Sequence, residues 1–208
     1  MVRRTNARRG TAYAATMAVA AAAAAWGVFW HGAHRQVPAA GLPDLGAVPA
    51  FTLIDHESRP FTRPSLQGSV WIIDFIFTRC AGQCPMLSQR MAALQARLAA
   101  TPGIRFASIS VDPAYDTPAQ LRAYAEQYQA GERWVFLTGS EPDVFTLSRD
   151  GFHLGVGKDG TPEEPVTHSV RLVLLDRAAR IRGYYSADEP EAMRRVEADA
   201  RRLASSAP

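Results

Sequence analysis

"SVWIIDFIFTRCAGQCP", residues 69–85, decides the fold of this 208-residue chain. Its first nine residues are apolar apart from one serine and one aspartate. Such an unbroken run predicts a central strand covered on both faces, since a strand with one solvated face would alternate apolar and polar residues. The turn that follows carries both cysteines, Cys80 and Cys84, and Pro85 predicts the start of a helix. The stretch therefore predicts a strand, a cysteine-bearing turn and a helix.

Periodic segments downstream extend this unit into an α/β layout. A helix with the apolar stripe Leu87, Met91, Leu94 and Leu98 is followed by a strand at Ile104–Val111 and a helix capped by Thr117, with Pro118 at its first position. Next come a strand at Trp134–Leu137, a helix from Ser140 to Leu147, a hairpin of Ser169–Leu175 and Ile181–Tyr185, and a helix from Pro190 to Leu203. This order is typical of an α/β sheet, whose ligand sites lie beyond the carboxyl ends of strands, where the cysteines are.

The N-terminal segment predicts a membrane anchor. Residues 1–10 carry four arginines and no acid, and residues 11–30 carry no charge. Twenty helical residues span roughly 30 Å, about one hydrocarbon core. We expect residues 1–10 to be a cytoplasmic basic segment and residues 11–30 to be a retained transmembrane signal anchor rather than a cleaved signal. Residues 31–49 predict a linker, and residues 50–208 one domain on the periplasmic side of the cytoplasmic membrane.

The net charge of +3 comes from the N-terminal segment. Five of the 23 basic residues and none of the 20 acids precede residue 37, so the rest of the chain has a net charge of −2. A nucleic-acid-binding domain needs a basic surface to meet the phosphate backbone. We therefore expect no nucleic-acid partner.

Cys80 and Cys84 are the chain's two cysteines, and they have several possible uses. A purely structural disulfide is less favoured, because so short a loop contributes roughly 2 kcal/mol against about 3 kcal/mol for a fifteen-residue loop. At a helix start, backbone N–H groups and the helix dipole favour thiolate, so we expect a lowered thiol pKa. The two sulfurs can face one side and form a disulfide or hold one metal. Thiolates favour Cu(I), whereas structural zinc would need four protein ligands.

A third metal ligand would have to be one of the five histidines. His31 and His34 flank the predicted anchor, which suits interfacial residues. His56 lies in the turn-like "DHES" and is expected to be solvated, while His153 is expected to be a packed or surface residue. His168 stands at the start of an apolar strand, which is a rigid platform for a ligand.

Asp74 is an acid in the middle of "WIIDFIF", six residues before Cys80. Burying a carboxylate there is costly unless it is paired or protonated. It can serve as a proton relay that accepts or donates a proton as a disulfide opens. It can equally be a structural acid bonded to the backbone or to a polar helix residue, and both interpretations stay open.

Three segments in order resemble the Sco/SenC family of membrane-anchored, thioredoxin-like copper proteins. "FIFTRCAGQCP", residues 75–85, is similar to the family's Cys-x-x-x-Cys-Pro site. "SISVDPAYDTPAQLRAY", residues 108–124, is similar to its Ser-Val-Asp-Pro…Asp-Thr-Pro segment, which we interpret as a turn and helix cap. "THSVRLVLLD", residues 167–176, is similar to its histidine-bearing strand.

The resemblance implies a thioredoxin-like α/β fold with a central mixed sheet flanked by helices. It carries over Cys80, Cys84 and His168 as ligands of copper, as Cu(I) or Cu(II), with a disulfide between Cys80 and Cys84 as the oxidised form. The implied function is that of a metallochaperone that helps to mature the binuclear copper centre of cytochrome c oxidase. The implied partners are the copper-centre subunit of that oxidase, a thioredoxin-like reductant and another copper chaperone.

One departure from the family keeps a second function open. Thr167 stands where the family usually has an aspartate, and a carboxylate there can support the histidine ligand. The alternative is an exported thiol–disulfide oxidoreductase that keeps the cysteines of a copper site reduced. Cys80 and Cys84 would then be its catalytic redox pair and Asp74 their proton relay.

Overall fold

The computed structural model describes residues 41–157 and 167–206, with the backbone alone described at residues 167 and 168. The strands are β1 (Thr52–Asp55), β2 (Pro60–Thr62), β3 (Val70–Ile76), β4 (Ile104–Ser110), β5 (Trp134–Thr138), β6 (Val156–Gly157), β7 (Thr167–His168), β8 (Arg171–Leu175) and β9 (Ile181–Ser186). The α-helices are α1 (Gln83–Arg97), α2 (Pro118–Gln127), α3 (Glu141–Thr146) and α4 (Pro190–Ser205).

Seven strands form one mixed sheet in the order β2-β1-β5-β4-β3-β8-β9. The central strands β3, β4 and β5 run parallel, and β8 and β1 pair antiparallel at either side. This confirms the predicted α/β fold with a mixed sheet. The hairpin β1–β2 was not among the predicted elements, and β6 and β7 form a separate antiparallel pair.

The central strand and the first helix form the core beneath the cysteines. All seven residues of β3 are buried, as the apolar run predicts. The predicted stripe of α1 is confirmed, because Leu87, Met91, Leu94 and Leu98 have no exposed surface. Full burial of a leucine side chain contributes about 1.5–3 kcal/mol. The cysteines are therefore held between a rigid strand and a firmly packed helix.

Contacts between helices place α1, α2 and α4 on one face of the sheet. The hydroxyls of Ser88 on α1 and Tyr124 on α2 lie 2.9 Å apart. The Arg97 guanidinium of α1 is 2.7 Å from the Glu197 carboxylate of α4. Right-handed crossovers from β3 to β4 and from β4 to β5 require this shared face for α1 and α2.

Two helix starts follow the predicted caps. The Thr117 hydroxyl accepts a hydrogen bond from a backbone N–H three residues on at 3.3 Å, and the Ser140 hydroxyl does the same at 3.3 Å. The helix expected to reach Leu147 ends at Thr146 and continues as a π-helical turn over Leu147–Gly151. The predicted first residues of α2 and α3 are therefore more accurate than the predicted last residue of α3.

An extended arm before β1 packs against the β8–β9 hairpin. The Leu45 N–H donates to the Ile181 carbonyl at 2.9 Å, and the Val48 N–H donates to the Ala179 carbonyl at 3.0 Å. The compact unit begins at Leu42 and so includes part of the stretch predicted as linker. The predicted anchor at residues 11–30 lies outside the described residues. No helix within 41–157 or 167–206 is both long and apolar enough to cross a bilayer.

Candidate functional site

The two cysteines meet where β3 leads into α1. Cys80 lies in the connecting turn, Gly82 is the N-cap, and Cys84 is in the first turn of α1. The Cys84 backbone N–H donates to the Cys80 sulfur at 3.5 Å, and the Cys80 side chain is close enough to raise the pKa of the Cys84 thiol. The structure thus brings both sulfurs to one place, as their spacing predicts. Both residues are thiols here, so the Cys80–Cys84 disulfide stays a prediction.

The protonation of Cys84 differs from the expectation. Cys84 has no exposed surface, whereas Cys80 is 9% exposed. Burial raises the pKa of the Cys84 thiol well above its usual range, and the neighbouring Cys80 and Asp74 add to the rise, while the Phe77 backbone N–H partly opposes it. The predicted lowering is wrong for Cys84, because lost hydration outweighs the favourable N–H groups. A thiol of this kind becomes a thiolate when a cation supplies the missing charge.

Asp74 is fully buried on β3, directly opposite Ser108 of β4. Neither of its carboxyl oxygens makes a hydrogen bond of standard geometry to any described residue. Burial raises the pKa of Asp74 to about 7, and the Ser108 hydroxyl partly opposes the rise. No polar helix residue bonds to Asp74 in the described part of the chain, whereas the backbone of Asp74 itself also opposes the rise in its pKa, so the interpretation as a structural acid stays open in its backbone form. The proton-relay role stays a prediction, and its proximity to Cys84 is consistent with it.

His168 lies on β7, where its backbone pairs with that of Val156 on β6. The side chains of Thr167 and His168 are outside what the structure describes, so the ligand role of His168 stays a prediction. Among the side chains that are described, no cluster of three or more His, Cys, Asp or Glu residues can hold a metal ion. A three-ligand site at the cysteines therefore depends on a residue such as His168.

The other described histidines have structural surroundings. Nδ1 of His56 accepts a hydrogen bond from the Phe136 backbone N–H at 3.2 Å, and its ring meets the Phe136 ring edge-on at 5.9 Å. The expectation of a solvated His56 therefore holds only in part, since the residue is half-buried because this turn folds back onto β5. His153 was expected to be either packed or on the surface, and it is exposed. His31 and His34 lie outside the described residues.

Asp116 connects the cysteine turn to the start of α2. Its buried carboxylate accepts hydrogen bonds from the Thr78 N–H at 3.1 Å, the Thr78 hydroxyl at 2.5 Å and the Ser110 hydroxyl at 2.5 Å. Burial raises the pKa of Asp116, and the Ser110 and Thr78 hydrogen bonds oppose the rise. Thr78 precedes Cys80 by two residues, so Asp116 fixes the backbone that leads into the cysteine pair.

A second contact holds the next residue of the same turn. Nε of Arg79 donates to the Asp112 carboxylate at 2.7 Å, and the Arg79 guanidinium lies 5.0 Å from the centre of the Tyr115 ring. The sequence interpretation of this Asp-Pro segment as a turn and cap missed both contacts. A usable signal was present, because Asp112 and Asp116 follow β4, and the carboxyl ends of parallel β3 and β4 meet at one sheet edge.

Comparisons with known proteins agree with this geometry. A protein of Stutzerimonas stutzeri named "Putative copper-binding protein" is 32% identical over 149 residues, which is 70% of this chain and 72% of that protein. A SCO1/SenC family lipoprotein from Bacillus anthracis has a structure similar to this one, with a TM-score of 0.73 and 30% identity, covering 80% of this chain and 100% of that chain.

A further solved structure is that of BsSco, described as a member of the Sco family of cytochrome c oxidase assembly proteins that contains a disulfide switch. It has a TM-score of 0.70 and 29% identity, covering 79% of this chain and 98% of that chain. The SCO1/SenC family model matches residues 40–204, which include the whole sheet and both cysteines. The chain therefore belongs to the SCO1/SenC family.

Proposed function

We propose that this protein is a copper-binding assembly factor that helps to mature the binuclear copper centre of cytochrome c oxidase. The observation that carries the proposal is the pair of adjacent thiols, Cys80 and Cys84, at the carboxyl end of β3 in a SCO1/SenC fold. The name of the Stutzerimonas stutzeri relative supports copper as the metal. The family description of BsSco supports cytochrome c oxidase assembly as the process.

Copper is the cargo of this site, and the donor atoms suit it. Cys80 and Cys84 would supply two thiolates, and His168 would supply an imidazole. Soft sulfur donors favour Cu(I), and the imidazole allows Cu(II) as well. Thr167 brings no carboxylate beside His168, so we expect the thiolates to dominate the binding free energy.

The chain's own residues prepare the site before copper arrives. Asp116 holds Thr78, and α1 holds Cys84 in its first turn, so the two sulfurs are already adjacent. Burial keeps a proton on Cys84 until a cation replaces it. Copper uptake therefore couples metal binding to proton release without a large rearrangement of the described backbone.

The proposed location follows from the N-terminal residues. Residues 11–30 would anchor the protein in the cytoplasmic membrane with residues 1–10 in the cytoplasm, and the copper-binding domain would lie on the periplasmic side. The lipoprotein of Bacillus anthracis supports membrane association. The partners would be the copper-centre subunit of the oxidase, a thioredoxin-like reductant and another copper chaperone.

The alternative function, an exported thiol–disulfide oxidoreductase, has one observation in its favour. Asp74 is a buried acid near Cys84 with a pKa of about 7, which suits proton exchange during disulfide opening. Cys84 is buried and its pKa is raised, so in this role Cys80 would be the attacking thiol and Cys84 the resolving thiol. The comparisons favour copper binding over this role.

Titration of the reduced protein with Cu(I), against a competing chelator, tests the proposal. We expect the wild type to bind one copper ion, the Cys80→Ser/Cys84→Ser variant to lose binding, and His168→Ala to bind more weakly. His153→Ala is the matched control, because His153 is exposed, and it should match the wild type.

Binding by the wild type that is no tighter than binding by the double serine variant would reject the copper function. Disulfide reduction by His168→Ala at the wild-type rate, with copper binding lost, would instead support the oxidoreductase.

A further inference from the structure

We propose that Arg79 and Tyr115, held in place by the buried Asp112 and here called the Arg–Tyr rim, form the docking contact for the protein that receives copper from Cys80. This inference rests on the proposed copper function. The acceptor is defined by its chemistry: it is a protein that presents two cysteine thiols on its surface.

The route to the metal ligands passes beside the Arg–Tyr rim. Cys84 has no exposed surface, and Cys80 is 9% exposed, so an incoming thiol reaches Cys80 first. The residues on either side of Cys80, Arg79 and Ala81, are exposed, and so is Gly82. Alanine and glycine have little side chain to keep another backbone away. An acceptor loop that approaches Cys80 therefore lies within reach of Arg79.

The Arg–Tyr rim is arranged before any partner binds. Asp112, which is 8% exposed, holds Nε of Arg79 at 2.7 Å, and this places the guanidinium over the Tyr115 ring. Arginine and tyrosine are, with tryptophan, enriched at binding hot spots, and a side chain already held in place loses less conformational entropy on binding.

Tyr115 is also unusual in its exposure. It is 44% exposed, and only two other large apolar side chains of the described residues, Leu45 and Ile54, are exposed. Leu45 belongs to the arm that pairs with β9, and Ile54 lies on β1. Of the three, Tyr115 is the one that contacts a residue of the cysteine turn.

The transfer itself is a ligand exchange that moves no electrons. An acceptor thiol loses its proton and forms a bond to Cu(I) while the bond from copper to the Cys80 sulfur breaks. The second acceptor thiol then replaces Cys84 in the same way, and the bond from copper to the neutral His168 imidazole breaks without any proton transfer. Cys80 and Cys84 each regain a proton, so two protons pass from acceptor thiols to donor thiols, directly or through solvent, and copper stays Cu(I).

Copper transfer from the full chain, purified in detergent and loaded with Cu(I), tests the Arg–Tyr rim. Two rates are compared: transfer to the soluble copper-site domain of cytochrome c oxidase, and removal by a small Cu(I) chelator. We expect Tyr115→Ala to slow transfer to the protein acceptor by about tenfold, as loss of a hot-spot side chain does. Its Cu(I) affinity and its rate with the chelator should stay within about twofold of the wild type, because a small chelator needs no docking surface.

Matched controls come from elsewhere on the surface. Arg149→Ala removes an exposed arginine that is paired with Asp150, and Ile54→Ala removes an exposed apolar side chain. Both should transfer copper at the wild-type rate. Arg79→Ala should resemble Tyr115→Ala once its rate is corrected for any change in affinity.

Three results would overturn the inference. If Tyr115→Ala transfers copper at the same rate as an active wild type, the Arg–Tyr rim is not the docking contact, and the proposed copper function is unaffected. Equal slowing with the small chelator shows an effect on the copper site rather than on docking. A wild-type chain that binds no copper rejects the proposed function together with this inference.

Discussion

Asp116 accepts two hydrogen bonds from Thr78, one from the backbone N–H at 3.1 Å and one from the hydroxyl at 2.5 Å. The two residues are 38 positions apart in the chain, yet they fix the entry to the cysteine turn. Asp116 has no exposed surface, and its carboxylate also accepts from Ser110. The geometry of Cys80 therefore depends on a residue at the start of another helix.

Asp116→Ala should weaken both the fold and the copper site. The change leaves the Thr78 N–H and two hydroxyls without their acceptor, and an unsatisfied buried polar group costs about 1–3 kcal/mol. We expect the free energy of unfolding in urea to fall by about that amount, and Cu(I) affinity to fall by about tenfold as the cysteine turn loosens. Asp150→Ala, at an exposed aspartate, is the control. Unchanged Cu(I) affinity in folded Asp116→Ala would contradict this role.

Asp74 should make the copper-free protein less stable as pH rises. The folded-state pKa is about 7 and the ordinary value is 3.8, so between these pH values the unfolded chain releases a proton that the folded protein retains. At 1.36 kcal/mol per unit, the stability lost from pH 4 to pH 8 is on the order of 4 kcal/mol. Asp74→Asn lacks this contribution. The free energy of unfolding in urea, measured for both proteins between pH 4 and pH 8, gives the size of this contribution. The same pH dependence in the wild type and in Asp74→Asn would refute the prediction.

The two cysteines should react with iodoacetamide at different rates. Cys84 is fully buried with a raised pKa, while Cys80 has some exposed surface, and thiolate exposure controls alkylation. Mass spectrometry of the folded, reduced protein should show Cys80 modified first, with Cys84 slower by more than about tenfold. In urea the two rates should converge. Faster modification of Cys84 in the folded state would show that its thiol is not covered as described.

Copper binding should release a proton from Cys84. Because the raised pKa keeps this thiol protonated at pH 7, Cu(I) must displace at least one proton to bind the thiolate. The apparent affinity should therefore fall by about tenfold for each unit that the pH is lowered. Calorimetry in buffers of different ionisation enthalpy counts the protons, and Cys84→Ser should release fewer. Equal proton release by the two proteins would exclude Cys84 as the source.

Local patterns predicted most of the fold. The buried run of β3, the apolar stripe of α1 and the caps at Thr117 and Ser140 appear as expected, because each depends on neighbouring residues in the chain. The hairpin β1–β2 was missed because β1 and β2 have only four and three residues, which is too short for a clear alternation of polar and apolar positions.

The candidate site was less predictable, because its properties arise from contacts across the fold. The spacing of Cys80 and Cys84 correctly predicted that their sulfurs meet. The position of Cys84 at a helix start predicted a lowered thiol pKa, but burial raises this pKa. The burial of a side chain depends on the whole fold and cannot be read from neighbouring residues in the sequence. The contacts of Asp112 and Asp116 with the cysteine turn depend on the parallel pairing of β3 with β4, which follows from the order of strands and helices along the chain and not from the residues beside each aspartate.

The arm before β1 has a mechanical consequence. It pairs with Ala179 and Ile181, and these lie at the end of the β8–β9 hairpin beside the start of β3, whereas the cysteines follow the other end of β3. A pulling force on the chain upstream of Leu42 is therefore borne first by the arm's hydrogen bonds and by the ion pair of Asp44 with Arg180. The edge of the sheet absorbs this load, and the cysteine turn at the other end of β3 is shielded from it.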